Sequence, residues 1–444
     1  MKWIKRIFLA LIVILAVVIY TQYPKLNIIS GYTAKNMAST VFYAQRSAES
    51  VNQNDHQVPL IELGQAQVNA DEKSASATVK GLLERTAVYR DGLGAALLVE
   101  GYDSEIWERK PIRRQRRSNF AYPYGDGAQI DTIFAHVDYD RIEKALDMVF
   151  AYPDSIRTRT ALIIHKDQIL AERYVDGFDK TTPILGWSMT KSVLATLYGI
   201  LEKENGLDVQ QKPDLALWQE DDRKHITYHD LLQMESGLAW DEDYSGISDV
   251  TKMLFLEIDM PSVAWNKKAM AQPGEIFNYS SGTSNLLSGL LRKQFNDHQS
   301  YLDFPYTHLI DRIGMHSMLL ETDLNGNFVG SSYGWANTRD WGKFGLLYLH
   351  RGNWNGDQLF NPSWADYVAT PNRKSNGKYG AHFWLNANGQ YPDVPTDMYS
   401  ANGYQGQHVF IIPSKELVVV RTGLAEDPDF NINGFLGEIV KAIQ

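Results

Sequence analysis

Apolar residues recur along this chain at three different spacings, and each spacing predicts a different kind of element. Near the start they run unbroken: "IFLALIVILAVVIY" at 7–20 follows "MKWIKR", which carries three cations. A helix with no polar face is not an ordinary core helix. The segment reads as a signal peptide or a short membrane anchor. The strict run is 14 residues, where a span needs about 20. Extension through "TQYP" and the lack of a nearby A-x-A site favour a retained anchor over a cleaved signal. Basic residues ahead of the run place the remainder outside the cytoplasm.

Elsewhere the spacing is that of strands. "TRTALIIHKDQILAERYVDG" predicts a hairpin around "KDQ", and "GQHVFIIPSKELVVVRTG" a second one turning at "PSKE". Residues 75–100 predict short strands separated by "RDGLG". Helical spacing takes over in "YDRIEKALDMVFAY", with Ile142, Ala145, Leu146 and Val149 on one face. It returns in "MTKSVLATLYGILEKENGL", apolar at 189, 193, 194, 197, 200 and 201 and stopped by Gly206. "ITYHDLLQMESGL" predicts a shorter helix with Thr227 as N-cap, Asp230 completing a capping box and Gly237 ending it. "SNLLSGLLRKQF", "NTRDWGKFGLLYLHRG" and "INGFLGEIVKAI" are further helices.

Strands, then mostly helices, then strands and a closing helix predict an α+β fold: an antiparallel sheet flanked by helices, with an inserted mostly helical part. The expected organisation is a leader at 1–24, an extension at 25–150 that is partly disordered or packed on the rest, and a main domain at 151–444.

Composition narrows the function classes. The chain has 444 residues, 44% hydrophobic and 22% charged, as in ordinary globular proteins. A net charge of −10 offers no general attraction to nucleic acid. The absence of cysteine excludes disulfides, thiolate catalysis and cysteine–zinc sites. Six cations between Arg109 and Arg117 read as a solvated loop. Contact with acidic phospholipid is the alternative, if an anchor holds them near a bilayer.

Candidate chemistry centres on "GWSMTKSV" at 186–193. Ser188 and Lys191 lie one helical turn apart and share a face, and a hydroxyl beside an amine serves as nucleophile and base. A second S-x-x-K string, Ser375 to Lys378, sits among turn formers with no helix to align it. The helix N-terminus at Ser188 suits a developing oxyanion, and the same field with desolvation lowers the pKa of Lys191.

Other readings are weaker. "GSSYG" at 330–334 fits G-x-S-x-G with Ser332 as nucleophile and His408 as base, but no strand precedes it and no helix directly follows. "HITYHD" and "HVDYD" faintly suggest a metal, but His225 and His229 straddle the cap at Thr227, so no metal or other cofactor is expected.

Taken in order, "SMTK" opening a helix, "NYSSGTSNLL", and "ANGYQGQHVFIIP" on a strand resemble the serine β-lactamase and penicillin-binding-protein family. Within it they resemble the class C-like branch of esterases, D-aminopeptidases and aminohexanoate-oligomer hydrolases, over roughly residues 155–444. The resemblance implies that Ser188 is acylated, that Lys191 shares its proton and that Tyr279 relays a proton to the leaving group. In the second motif, usually Tyr-x-Asn, Ser281 replaces the amide, as in the aminohexanoate-hydrolase branch. The third motif aligns with Ala401-Asn402-Gly403 and lacks its usual cation, which counts against dedicated β-lactamase or transpeptidase action.

The backbone N–H groups of Ser188 and Tyr404 would form the oxyanion hole, with Ser281, Asn402, Gly403 and Trp187 contacting substrate. Trp240, Trp384 and Tyr404 are further candidate pocket walls. The implied function is an exported serine hydrolase, in or facing the periplasm, that cleaves a small ester, short amide or D-amino-acid peptide. The alternative is a membrane-anchored sensor of the same fold without turnover.

Overall fold

The computed structural model describes residues 2–102, 109–115, 118–125, 127, 129–130 and 132–444. In the first helix the side chains of 2, 14–16 and 18–22 are outside the described set. That helix, α1, spans Lys2–Phe42 without a break at Pro24. The expected boundary at 24 therefore falls inside one helix, whose two ends differ. Trp3, Phe8, Leu11 and Val13 are exposed, whereas Ala34, Met37 and Ala38 are fully buried. Among the described residues no helix is long and apolar enough to cross a membrane.

The buried half of α1 lies on a small antiparallel sheet of β1 (Gly64–Asn69), β2 (Ser74–Val79), β3 (Leu82–Arg90) and β4 (Gly94–Leu97), paired in that order. Ala75, Ala77, Ala87 and Ala95 meet Ala34 and Ala38, and side chains this small let helix and sheet approach closely. This layer is docked on the main domain by a buried ion pair, Lys35 with Glu321. Glu321 Oε1 also accepts from Ser39 Oγ at 2.8 Å and from the Ala95 N–H at 2.9 Å. Arg90 donates to the Thr322 carbonyl at 2.7 Å. Residues 25–102 are thus packed on the main domain. Of the basic stretch, Arg113 is paired with Asp311 at 2.7 Å; Arg116 and Arg117 lie outside the described residues.

Ahead of the expected start at 151, α2 (Tyr139–Phe150) already packs on the main sheet and buries Ile142, Ala145, Leu146 and Val149 as its spacing predicts. The first hairpin, β5 (Thr158–His165) and β6 (Gln168–Tyr174), turns through Lys166 and Asp167 at φ 48° and 62°. Two successive positive φ values match the right-handed twist of the strands. After α3 (Met189–Asn205) come α4 (Tyr228–Leu232), α5 (Asp249–Leu256), α6 (Ser281–Arg292) and α7 (Thr338–Leu349). The chain closes with β7 (Trp384–Leu385), β8 (Tyr399–Gly403), β9 (Gln407–Ile412), β10 (Leu417–Gly423) and α8 (Ile432–Ala442).

The six main strands form one antiparallel sheet in the order β7-β8-β9-β10-β5-β6. Ala161 and Ile163 face α2 and α8, while Leu162 and Ile164 face the large core under α3 and α7. Burial on both faces is why the centre of β5, Ala161 to Ile164, is an unbroken apolar run rather than an alternating one.

The α4 capping box between Thr227 and Asp230 is present. The helix ends at Leu232 and not near Gly237, because Met234 takes φ 58°, a left-handed value that no helix continues through.

Candidate active site

Ser188 is the N-cap of α3, and its hydroxyl does not cap the helix. The loop before it is held tightly. Gly186 N–H donates to the Gly334 carbonyl at 2.8 Å, Thr190 Oγ1 donates to the Trp187 carbonyl at 2.7 Å and accepts from the Gly334 N–H at 2.8 Å. A Cβ on Gly186 would lie 2.4 Å from the Trp341 ring. Trp187 is forced to φ 48°, a conformation costly for a bulky side chain and characteristic of functional loops.

Lys191 lies one turn into α3 and is buried. Its Nζ donates to Ser188 Oγ at 3.0 Å, to Ser281 Oγ at 3.0 Å and to the Ser331 carbonyl at 2.8 Å. Burial lowers its pKa to about 8, against the opposing pull of the Glu242 carboxylate. The Nζ atom also sits 4.9 Å from the centre of the Tyr279 ring. The Tyr279 hydroxyl lies beside Ser188, and burial pushes its pKa well above the ordinary phenol value against the pull of that neighbour. Tyr379 and Trp384 wall the ring, with centroids 5.8 and 5.4 Å away. The three residues expected to act together are therefore brought together.

Ser281 begins α6 and receives the Lys191 hydrogen bond on one side. On the other it donates to Glu242 Oε1 at 2.5 Å, and its N–H donates to Glu242 Oε2 at 2.9 Å. Tyr244 closes the group, its hydroxyl 3.0 Å from Glu242 and 3.2 Å from Ser281. The sequence reading missed Glu242, Tyr244 and the Ser331 carbonyl. The first two sit in "WDEDY", an acidic loop segment that looks merely solvated, and a main-chain acceptor leaves no signal in residue type.

The edge strand β8 approaches from the opposite side. A Cβ on Gly403 would fall 2.0 Å from the Gly186 carbonyl oxygen, so only glycine lets the strand pass this close to the serine loop. Ser188, Tyr279, Asn402, Gly403, Tyr404 and Trp187 all line one cavity of about 680 Å³. The Asn402 side-chain oxygen Oδ1 pairs with His408 Nδ1 at 2.9 Å. Tyr404 stands edge-on to Trp187 at 5.8 Å and stacks with Tyr244 at 6.4 Å. Trp384 also lines the cavity. Trp240 does not: it packs on Gly282, where a Cβ would meet its ring at 2.4 Å, and donates its indole N–H to Glu242.

The rival motifs are laid out differently. Ser332 Oγ pairs with Ser331 Oγ at 2.8 Å, and the strand at Gly334–Ala336 follows it where an elbow needs a helix. Ser375 Oγ is engaged by the backbone of Asn372 and Tyr379. His229 Nδ1 bonds the Tyr367 hydroxyl at 3.0 Å.

A sequence model of the β-lactamase family matches residues 147–428. Among solved structures, a protein from Bacillus anthracis assigned as a 6-aminohexanoate-dimer hydrolase is 18% identical, with a TM-score of 0.59 over 74% of this chain and 90% of its own. A penicillin-binding-protein homologue from Caulobacter crescentus is 14% identical, with a TM-score of 0.54 over 71% and 99%. A family VIII carboxylesterase is 14% identical, with a TM-score of 0.50 over 71% and 99%. At these identities the structures show a shared fold. The family match spans more than half of the chain and contains Ser188, Lys191 and Tyr279, so the protein belongs to the β-lactamase family of hydrolases.

Proposed function

We propose that this protein is a serine hydrolase that cleaves an ester or amide through an acyl-enzyme on Ser188. The observation that carries the reading is a buried lysine, its pKa lowered to about 8, with Nζ 3.0 Å from the non-capping hydroxyl of the serine at the N-terminal position of α3. In its neutral form Lys191, with Tyr279, takes the Ser188 proton as Oγ attacks the carbonyl. The N–H groups of Ser188 and Tyr404 stabilise the tetrahedral oxyanion; the contact of Gly403 with the Gly186 carbonyl supports this pairing. Tyr279 protonates the leaving alcohol or amine. Water then repeats the sequence on the acyl-enzyme.

Ser281, joined to both Lys191 and Glu242, positions the ammonium group. The cations ahead of an unbroken apolar run support export, with the leader holding the domain at the outer face of a membrane.

The test is intact mass after treatment with a fluorophosphonate and, separately, a penicillin, for wild type beside Ser188→Ala. Phosphonylation of wild type alone, followed by ester turnover, is the expected result. An unlabelled, folded wild type would sink the proposal. A penicilloyl adduct that persists for hours without turnover would favour a sensor.

A further inference from the structure

Four residues of α1, Lys25, Ile28, Ile29 and Tyr32, line the cavity that holds Ser188. Their spacing is i, i+3, i+4 and i+7, so one stripe of the helix forms the wall. The segment 58–61 and the α5 residues Leu254 and Phe255 complete this side. The inner surface is aliphatic and aromatic: Ile28, Ile29 and Phe255 are all buried. Of the charged lining residues, Lys378, Glu426 and Asp427 are exposed and Lys25 is half-buried. A volume of about 680 Å³ exceeds what an acetyl group or a single amino acid needs and lies in the range that encloses a larger ligand. The strip bordering Ser188, formed by Asn402, Gly403 and Tyr404, carries no charge.

The same helix carries the exposed apolar residues Trp3, Phe8, Leu11 and Val13. Val13 is about 22 Å along the helix from Ile28 at 1.5 Å per residue. One element thus joins an apolar exterior to the wall of the active-site cavity.

We propose that the substrate is an amphiphile: an ester or amide bearing a long unbranched hydrocarbon chain, seated against α1 and α5, with its polar head at the charged rim. This rests on the serine-hydrolase reading and names its substrate class. The covalent step is the one given above, in which the Ser188 Oγ–acyl bond forms as the bond to the leaving group breaks, and water then releases the long-chain acid.

The experiment measures kcat/KM of the full chain for p-nitrophenyl esters from acetyl to dodecanoyl, with fluorophosphonate labelling run in parallel. Full burial of each added methylene raises kcat/KM about threefold to fourfold, so the expected profile climbs steeply to at least the octanoyl ester. In Ile29→Ser the octanoyl-to-acetyl ratio falls at least tenfold.

A labelled enzyme whose profile is flat or peaks at acetyl overturns the amphiphile proposal and leaves the hydrolase reading standing. Absence of labelling removes both. Because the wild-type profile decides the matter alone, a variant that fails to fold does not blur it. Presenting the dodecanoyl ester either free or in phosphatidylcholine vesicles separates the sources. Faster vesicle turnover assigns the chain to a membrane, slower turnover to a dissolved amphiphile, and both uphold the substrate class.

Discussion

Lys191 donates to Ser188 Oγ across 3.0 Å while its ammonium group is held to a pKa of about 8 by burial. A base must be neutral to take a proton, so the active fraction grows as pH rises through the folded-state value. We expect kcat/KM to increase from pH 6 to 9 with a midpoint near 8 and then to level off. A profile flat across that range would exclude Lys191 as the titrating base.

Glu242 works against that lowering, because a carboxylate nearby stabilises the charged lysine. Glu242→Gln removes the opposition. The midpoint then moves to lower pH, and the ratio of activity at pH 6 to that at pH 9 rises above the wild-type ratio. A purely structural role for Glu242 would lower activity at every pH and leave the midpoint in place.

Tyr279→Phe deletes the hydroxyl beside Ser188 and keeps the ring against Tyr379 and Trp384. Loss of a positioned proton-transfer group costs about 10²- to 10⁴-fold. The loss should appear in kcat, with fluorophosphonate labelling slowed and the melting temperature little changed. Wild-type kcat in this variant would remove Tyr279 from the mechanism.

Gly403→Ala places a methyl group 2.0 Å from the Gly186 carbonyl oxygen. Strand β8 must retreat from the serine loop, and a shift of about 1 Å at a reacting site costs roughly 10²-fold. Steady-state kinetics on a folded variant checks this. Unaltered kcat/KM would mean that the edge strand contributes nothing to the oxyanion site.

Glu321→Gln leaves Lys35 buried without its counter-charge. Breaking such a pair costs about 3–5 kcal/mol, which for a chain of this length corresponds to a fall in Tm of about 3–5 °C. Thermal denaturation followed by circular dichroism reads it. Because α1 also lines the cavity, long-chain ester hydrolysis should fail at a lower temperature than acetyl ester hydrolysis.

Much of this arrangement was legible in the sequence. Local signals carried it: the periodicity of α2 and α3, the Thr227–Asp230 box, and the two hairpins, one of them turning at Lys166 and Asp167. The Ser188–Lys191 contact was legible because both residues lie on one helical turn.

Long-range pairing was not. Glu242 meets Ser281 across 39 positions, and the Ser331 carbonyl meets Lys191 across 140; no periodicity encodes either. Trp240, a candidate for either pocket or core, packs on Gly282 against the core, and residue type alone does not separate the two places. The continuity of α1 past Pro24 was hidden by the change from an apolar run to a mixed one.

The Lys35–Glu321 pair has a consequence in time. Its partners are separated by 286 positions, which at a synthesis rate of about 5–20 residues per second is about 15–60 s of translation. Through that interval the first segment exists before the carboxylate that docks it, and Ile28 and Ile29 have no cavity to wall. A newborn chain therefore cannot acquire its apolar cleft gradually; the cleft closes only once the later two-thirds of the polypeptide folds back onto its beginning.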